Sequence, residues 1–384
     1  MEIKNLKKAA ERIVKAVKNK EKIIIYGDTD LDGTSSVIIL EETIKNLGGR
    51  ASIIYFPDRE TEGYGVSETA LKFLKGEAPA LLIALDCGIS NFKEMVLAKK
   101  LGFKTIIVDH HQVLDKLPKA EIIVDPKQKG DKYPFKNLAA VGITFKLSEA
   151  VLKEKMTESL RNNFLELTAL ATIADMVPQE EENRILTEEG LSSLKDSWRP
   201  GLKAFLEEEA FKDCLNFNQK VSKIISILNV RDVENRLPAS FRLLTASSSA
   251  EAEKMIKKFL IKQETRRQNI EKMVEIIEER LIMKREPLIF EGDSSFDFTL
   301  MSSAASILCQ RYKKPVFVFK KMEKESQGTV RSPSGIDSVA LMKKCSKYPL
   351  TFGGHAPASG FRIKNEDLEK FKMCLIKNLT GQRR

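Results

Sequence analysis

Five short runs of apolar, largely β-branched residues occupy the first third of the chain: KIIIYGD (22–28), ASIIYFP (51–57), ALLIALD (80–86), KTIIVDHH (104–111) and EIIVDP (121–126). None of them alternates apolar with polar residues. A strand with one wet face would alternate, so continuous runs point to strands covered on both faces. Between them, Ser35 to Leu47, Ser67 to Leu74 and Phe92 to Leu101 carry helical spacing. Strand, helix and strand in this succession predict an α/β fold with a doubly wound, mainly parallel sheet. Chemistry in such a sheet belongs beyond the carboxyl ends of the strands.

Those ends are acidic. Asp28, Asp86 and Asp109 close three of the runs, Asp30 and Asp32 extend the first, and His110 and His111 extend the fourth. One aspartate after a strand is usually a helix N-cap. Carboxylates from three strand ends gathered at one sheet edge would repel and shift one another's titration, and a cation resolves that repulsion. The chain has only three histidines, and two of them stand in this cluster. Imidazole and carboxylate without thiolate suit Mn²⁺ or Mg²⁺, with Zn²⁺, Fe²⁺ and Co²⁺ as alternatives. The number of carboxylates points to two divalent ions sharing a bridging aspartate, a pairing that stabilises attacking and leaving oxygens in phosphoester hydrolysis. DTDLDG also matches the opening of an EF-hand loop. That loop needs glutamate at its twelfth position, here Ile39, and a helix before it, here a strand-like run. No GxxxxGK occurs, which excludes a P-loop.

A chain of 384 residues exceeds one ordinary core, and two or three domains are expected. Residues 140–207 read as helical, whereas 208–245 show no clear period. From Ser248 to Ile282 runs a charged helix about 50 Å long, opened by a capping box of Ser248 and Glu251. After Pro287 the α/β pattern restarts with PLIFEGD, a helix around Ser303 to Tyr312, KKPVFVFKK and QGTVRSP. A helix near Ile336 to Lys344, a glycine-rich turn in FGGHAPASGFRI and a last helix follow. The expected partition is a catalytic domain over 1–210, a helical connector over 211–284 and a smaller α/β domain over 285–384. No apolar stretch approaches the roughly 20 residues that span a bilayer, and the N-terminus lacks the apolar core of a signal peptide. Five widely spaced cysteines without a CxxC pair argue against a structural zinc site and a disulfide framework. A reducing cytoplasm is the expected compartment. A net charge of +10 favours a polyanionic partner.

YGDTDLDG, PDRETEGYG, LDCGIS, VDHH, TIADMVP and GGHAPASG occur in the order and spacing of the DHH phosphoesterase superfamily, which the chain resembles over roughly residues 20–365. The second domain resembles the DHHA1 type, and PDRETEGYG with NRILTEEG is similar to the RecJ branch of single-strand-specific exonucleases. The resemblance implies a metal-ligand pool of Asp28, Asp30, Asp32, Asp86, His110 and Asp175, with Asp86 as the bridge. It implies His111 as a phosphate contact or acid/base partner and Asp109 as the group that orients an imidazole. Arg59 and Tyr64 would line the substrate path. In the second domain Gly353 and Gly354 would let backbone approach a phosphate, with His355, Arg331 and Ser332 beside it.

The activity implied is metal-assisted hydrolysis of single-stranded DNA from the 5′ end, releasing 5′ mononucleotides in repair, recombination or replication. Hydrolysis of short RNA oligonucleotides or dinucleotides is an alternative, as is a non-catalytic place among replication or repair proteins. Three departures stand out. Phe352 replaces a glycine of the family pattern, and LNVRDVENRLPAS replaces its asparagine–glycine–arginine turn, with Asn229 and Arg236 as the candidates for those roles. The additional oligonucleotide-binding domain of many bacterial relatives is expected to be absent.

Overall fold

The computed structural model describes residues 2–114, 116–211, 214–281 and 286–380. All five apolar runs are strands: β1 (Ile23–Gly27), β2 (Ile53–Tyr55), β3 (Ala80–Leu85), β4 (Phe103–Val108) and β5 (Ile122–Val124). They form one parallel sheet in the order β2-β1-β3-β4-β5. Successive side chains point to opposite faces, and both faces are dry. Ile23, Ile25, Leu81, Ile83 and Ile106 pack beneath helices α1 (Leu6–Lys18), α2 (Leu31–Asn46) and, further along, α5 (Ala140–Leu152). Ile24, Tyr26, Leu82, Ala84 and Ile107 pack against α3 (Glu68–Leu74) and α4 (Phe92–Lys100). This double cover explains the unbroken apolar runs.

Helix α2 starts at Leu31, four residues before the Ser35 expected from spacing. The Asp30 carboxylate caps it by accepting from the Gly33 amide at 3.0 Å, so most of DTDLDG is the opening of a helix rather than a loop. The Ser67 hydroxyl caps α3 by accepting from the Ala70 amide at 2.9 Å. Helices α6 (Glu158–Ala174), α7 (Glu181–Leu194) and α8 (Pro200–Glu207) follow. Helices α6 and α7 meet at Gly190, where an added Cβ would lie 2.1 Å from the Leu165 carbonyl oxygen. A backbone oxygen cannot rotate aside. Gly190→Ala should therefore lower stability by about 2 kcal/mol despite its better helix propensity, a loss readable by urea denaturation.

Within 208–245 the strands are only two residues long, too short to show a period. Helix α9 (Phe217–Leu228) leads to a hairpin of β6 (Val233–Glu234) and β7 (Leu237–Pro238), then to α10 (Ala239–Leu244). Asn235 and Arg236 make the hairpin turn, both at positive φ. Val221, Ile224, Leu228, Phe241 and Leu244 join the apolar cluster under α2 and α5. Helix α11 (Ser249–Leu281) is the long charged helix; the expected end at Ile282 and the 284/285 boundary lie outside the described residues. Its capping box is displaced by one residue. The Ser248 hydroxyl accepts from the Glu251 amide at 3.2 Å, but Glu251 reaches back to the Ser247 amide at 3.0 Å.

Two compact units emerge, Met1–Leu260 and Ile261–Arg384, divided within α11. The second holds β8 (Ile289–Asp293), α12 (Phe298–Tyr312), β9 (Val316–Lys321), β10 (Glu325–Arg331), α13 (Ser338–Lys343), β11 (Pro349–His355), β12 (Ala358–Lys364) and α14 (Leu368–Thr380). Its sheet runs β11-β12-β10-β9-β8, with β8 and β9 parallel and the other pairs antiparallel. Two expectations are corrected here. Gly353, Gly354 and His355 form not a turn but the end of edge strand β11; the turn is Ala356–Pro357. Cys345 and Cys374, far apart in sequence, are joined in a disulfide. Among the described residues no helix is long and apolar enough to cross a membrane.

Candidate metal centre

In the order β2-β1-β3-β4-β5 the chain turns to opposite sides from β1, and the crevice at such a switch point is where ligands bind in open α/β sheets. Asp28 follows β1 and Asp86 follows β3, so the two flank that crevice. Asp109, His110 and His111 follow β4 in the adjoining position. Asp175 arrives from another direction, at the C-terminal cap of α6. Asp86 takes a left-handed backbone conformation, φ +59°.

Among the described residues, three overlapping groups of side chains could each hold a cation: Asp86, His110 and His111; Asp32, His110 and Asp175; and Asp28, Asp30 and Asp86. In each, one donor atom per residue lies within 4.8 Å of the others. Asp86 and His110 belong to two groups each. The His110 Nε2 stands 3.4 Å from Asp86 Oδ1, 3.6 Å from Asp175 Oδ2 and 3.8 Å from Asp32 Oδ2. Both His110 ring nitrogens, Asp86 Oδ1 and Asp175 Oδ2 are buried without a hydrogen-bond partner. Buried polar atoms are ordinarily paired. Three of these atoms, His110 Nε2, Asp86 Oδ1 and Asp175 Oδ2, converge on one crevice and fit a divalent cation.

The electrostatics agree. Burial, then the charges of Asp32 and Asp30, push the Asp86 carboxyl well above its ordinary value. Burial and the charges of Asp175 and Asp30 do the same to Asp32, although the Ala140 and Val141 amides pull the other way. Burial and Asp30 raise Asp175 to about 6. Burial, then His111, lowers His110 to about 4, which leaves a neutral imidazole, the form that binds metals. Without a cation the carboxyls of Asp32, Asp86 and Asp175 resist ionisation.

The remaining residues of the cluster have assigned partners. Both Asp32 oxygens accept from backbone amides at the start of α5, Ala140 at 2.8 Å and Val141 at 2.7 Å. Asp109 is fully buried and accepts from the amides of Ile89, His110 and His111 and from His111 Nδ1 at 2.7 Å. It therefore orients His111, not His110. Burial would lower the His111 pKa, but the Asp109 bond outweighs it and the net shift is upward. The Tyr64 hydroxyl lies 3.1 Å from both His111 ring nitrogens and donates to the Asp86 carbonyl at 3.1 Å. Tyr64 is half-exposed, so it is no core residue.

Sequence reasoning missed several contributors. Glu62 and Asn91 hold the loop that carries Arg59 and Tyr64, Asn91 by bonding both ways to the Val66 backbone at 3.0 Å. Lys127 bonds the His110 carbonyl, and no motif announced it. Asp125 ends β5 as Asp28 ends β1, a signal that could have been read; burial raises it to about 7.

In the second unit Arg331 on β10 and His355 on β11 each pair with Ala358 of the intervening strand β12. The Ser332 amide donates to the Pro357 carbonyl, and the Ser338 hydroxyl donates to the His355 carbonyl. Gly354 has φ +132°, and a Cβ there would sit 2.7 Å from the Ala358 oxygen, whereas a Cβ on Gly353 would meet nothing within 4 Å. Arg331 is partly engaged, bonding Ser306, Thr329 and the Val330 carbonyl.

A doubly wound sheet with a carboxylate–imidazole centre at its switch point, followed by a separate α/β unit, defines a divalent-metal class of α/β protein. Residues 22–172 match the DHH family, N-terminal domain, and residues 286–380 match the DHHA1 domain. The chain belongs to the DHH superfamily and is of its RecJ-like kind. It is 34% identical to the single-stranded-DNA-specific exonuclease RecJ of Bacillus subtilis over 97% of this chain and 48% of that protein. To the RecJ of Salmonella typhimurium it is 29% identical over 97% of this chain and 68% of that protein. It thus spans about half the length of the Bacillus relative. The crystal structure of an exonuclease RecJ bound to manganese superposes with a TM-score of 0.80 at 25% identity, covering 99% of this chain and 95% of that one.

Proposed function

We propose that this chain is a divalent-metal-dependent exonuclease that hydrolyses single-stranded DNA from the 5′ end to 5′ mononucleotides, in the cytoplasm, during DNA repair, recombination or replication. The observation that carries the reading is the convergence of orphaned buried donors from two strand ends and the α6 cap, with Asp86 and His110 each common to two ligand groups. The similarity to the RecJ exonucleases supports it.

Asp28, Asp30 and Asp86 would hold one ion, and Asp32, His110 and Asp175 the other, with Asp86 between them; Mn²⁺ fits this donor set, and Mg²⁺ is the second choice. When bound, such ions acidify water and offset charge on the non-bridging phosphate oxygens. His111, held by Asp109, offers a proton donor to the departing oxygen. Asp109 fixes the ring's orientation and favours its charged form. Arg331, Ser332, Gly353, Gly354 and His355 would bind phosphates of the strand, Gly353 through an unobstructed backbone.

An end-labelled single strand of about 20 nucleotides should shorten progressively with Mn²⁺, while the matching duplex resists. Chelation should abolish cleavage and added Mn²⁺ restore it. Equal attack on duplex, or cleavage of dinucleotides alone, would overturn the reading.

A further inference from the structure

Arg59 grips the carboxylates that the metal reading also requires. Its Nε donates to Asp28 Oδ1 at 3.0 Å, and its Nη2 reaches both Asp28 Oδ2 and, at 3.2 Å, Asp30 Oδ2. Asp28 is buried, and both of its oxygens are taken by the guanidinium fork. A two-pronged guanidinium–carboxylate pair is among the stronger charge-assisted contacts. Yet Asp28, Asp30 and Asp86 together form one of the three cation-holding groups. A guanidinium bonded to both Asp28 oxygens and to Asp30 Oδ2 stands on the very atoms an ion in this half would use, and its charge opposes a second cation at that short range. The other half differs: among the described residues, no lysine or arginine forms an ion pair with Asp32 or Asp175.

We propose that Arg59 is a built-in counter-ion that competes with a divalent cation for Asp28 and Asp30, so that the two halves of the centre fill in order, the half of Asp32, His110 and Asp175 first. The guanidinium has somewhere to go. Its side chain is 44% exposed, and its Cζ already lies 5.7 Å over the Tyr64 ring centroid, a cation–π contact on the open side of the crevice that the guanidinium can keep when it leaves Asp28. The backbone beneath it does not need to move. The Glu62 carboxylate accepts from the Tyr55 hydroxyl, the Asp58 amide and the Ser67 hydroxyl at 2.7–3.1 Å. Arg236 in turn donates to the Tyr55 hydroxyl at 3.1 Å. A guanidinium released at the mouth of the crevice is placed for an anionic substrate, so filling of the second half and grip on a phosphate become linked.

This inference rests on the metal reading of the centre and not on the nuclease reading, so it is tested without nucleic acid. The metal-stripped 384-residue chain is titrated with Mn²⁺, and the free ion is followed by its paramagnetic resonance signal. The parent should take up two ions with unequal affinity. Arg59→Ala should tighten the weaker step about tenfold and leave the tighter one unchanged, and Arg59→Lys, which keeps the charge without the fork, should fall between. Arg59→Gln serves if the alanine variant does not fold. An unchanged or weakened second step in the folded variants overturns the proposal, as does the absence of two-step binding in the parent. Single-strand cleavage measured on the same samples separates the readings: no cleavage with intact two-step binding sinks the nuclease assignment alone.

Discussion

Asp86→Asn should reduce metal-dependent cleavage of a labelled single strand by about 10³-fold or more, since ions in such sites supply several kcal/mol of transition-state stabilisation. Fold damage should not accompany the loss. Among residues other than glycine, asparagine is the one that best tolerates the left-handed backbone held by Asp86, and it removes a buried carboxylate that its neighbours already oppose. In chelator the variant should therefore melt no lower than the parent. Adding Mn²⁺ should raise the parent's Tm, as any ligand of the folded state does, and should move the variant's much less. Full activity, or a Mn²⁺ shift equal to the parent's, would remove Asp86 from the centre.

Asp109→Ala should act mainly on stability, lowering the unfolding free energy in chelator by about 3–5 kcal/mol. The alanine would leave the Ile89, His110 and His111 amides and the His111 imidazole facing a carboxylate that is gone. Each unsatisfied buried donor costs about 1–3 kcal/mol. Urea denaturation measures the loss, and a change under about 1 kcal/mol would show that the turn after β4 is held by something else. Catalysis should also fall, since His111 would lose its orienting partner.

The parallel sheet was legible because burial on both faces writes unbroken apolar runs, and the acidic centre because those runs end in Asp28, Asp86 and Asp109. What stayed hidden depends on partners distant in the chain. Asp32 looked like one more acid in DTDLDG, and only the fold sets its oxygens on the Ala140 and Val141 amides. Arg59 was visible as a charge, but not as the partner of Asp28. Cys345 and Cys374 carry no spacing signature, and their pairing follows from the packing of α13 against α14. The FGGH segment read as a turn because glycine pairs usually are; in the sheet, Gly354 is a strand residue whose Cβ would strike β12. The hairpin at 233–238 is too short to leave any periodicity.

The amide contacts of Asp32 also bear on when this protein becomes chemically competent. A nascent chain has emitted all five strands of the first sheet by Val124, and Asp28 and Asp86 could by then already face one another. Asp32, however, has no amides to hold until the start of α5 has followed, and Asp175 arrives only as α6 closes. On this reading of the centre, a half-made chain still tethered to the ribosome and its RNA carries an incomplete and inert site. Competence to cut phosphodiesters would come only with most of the first unit already in place.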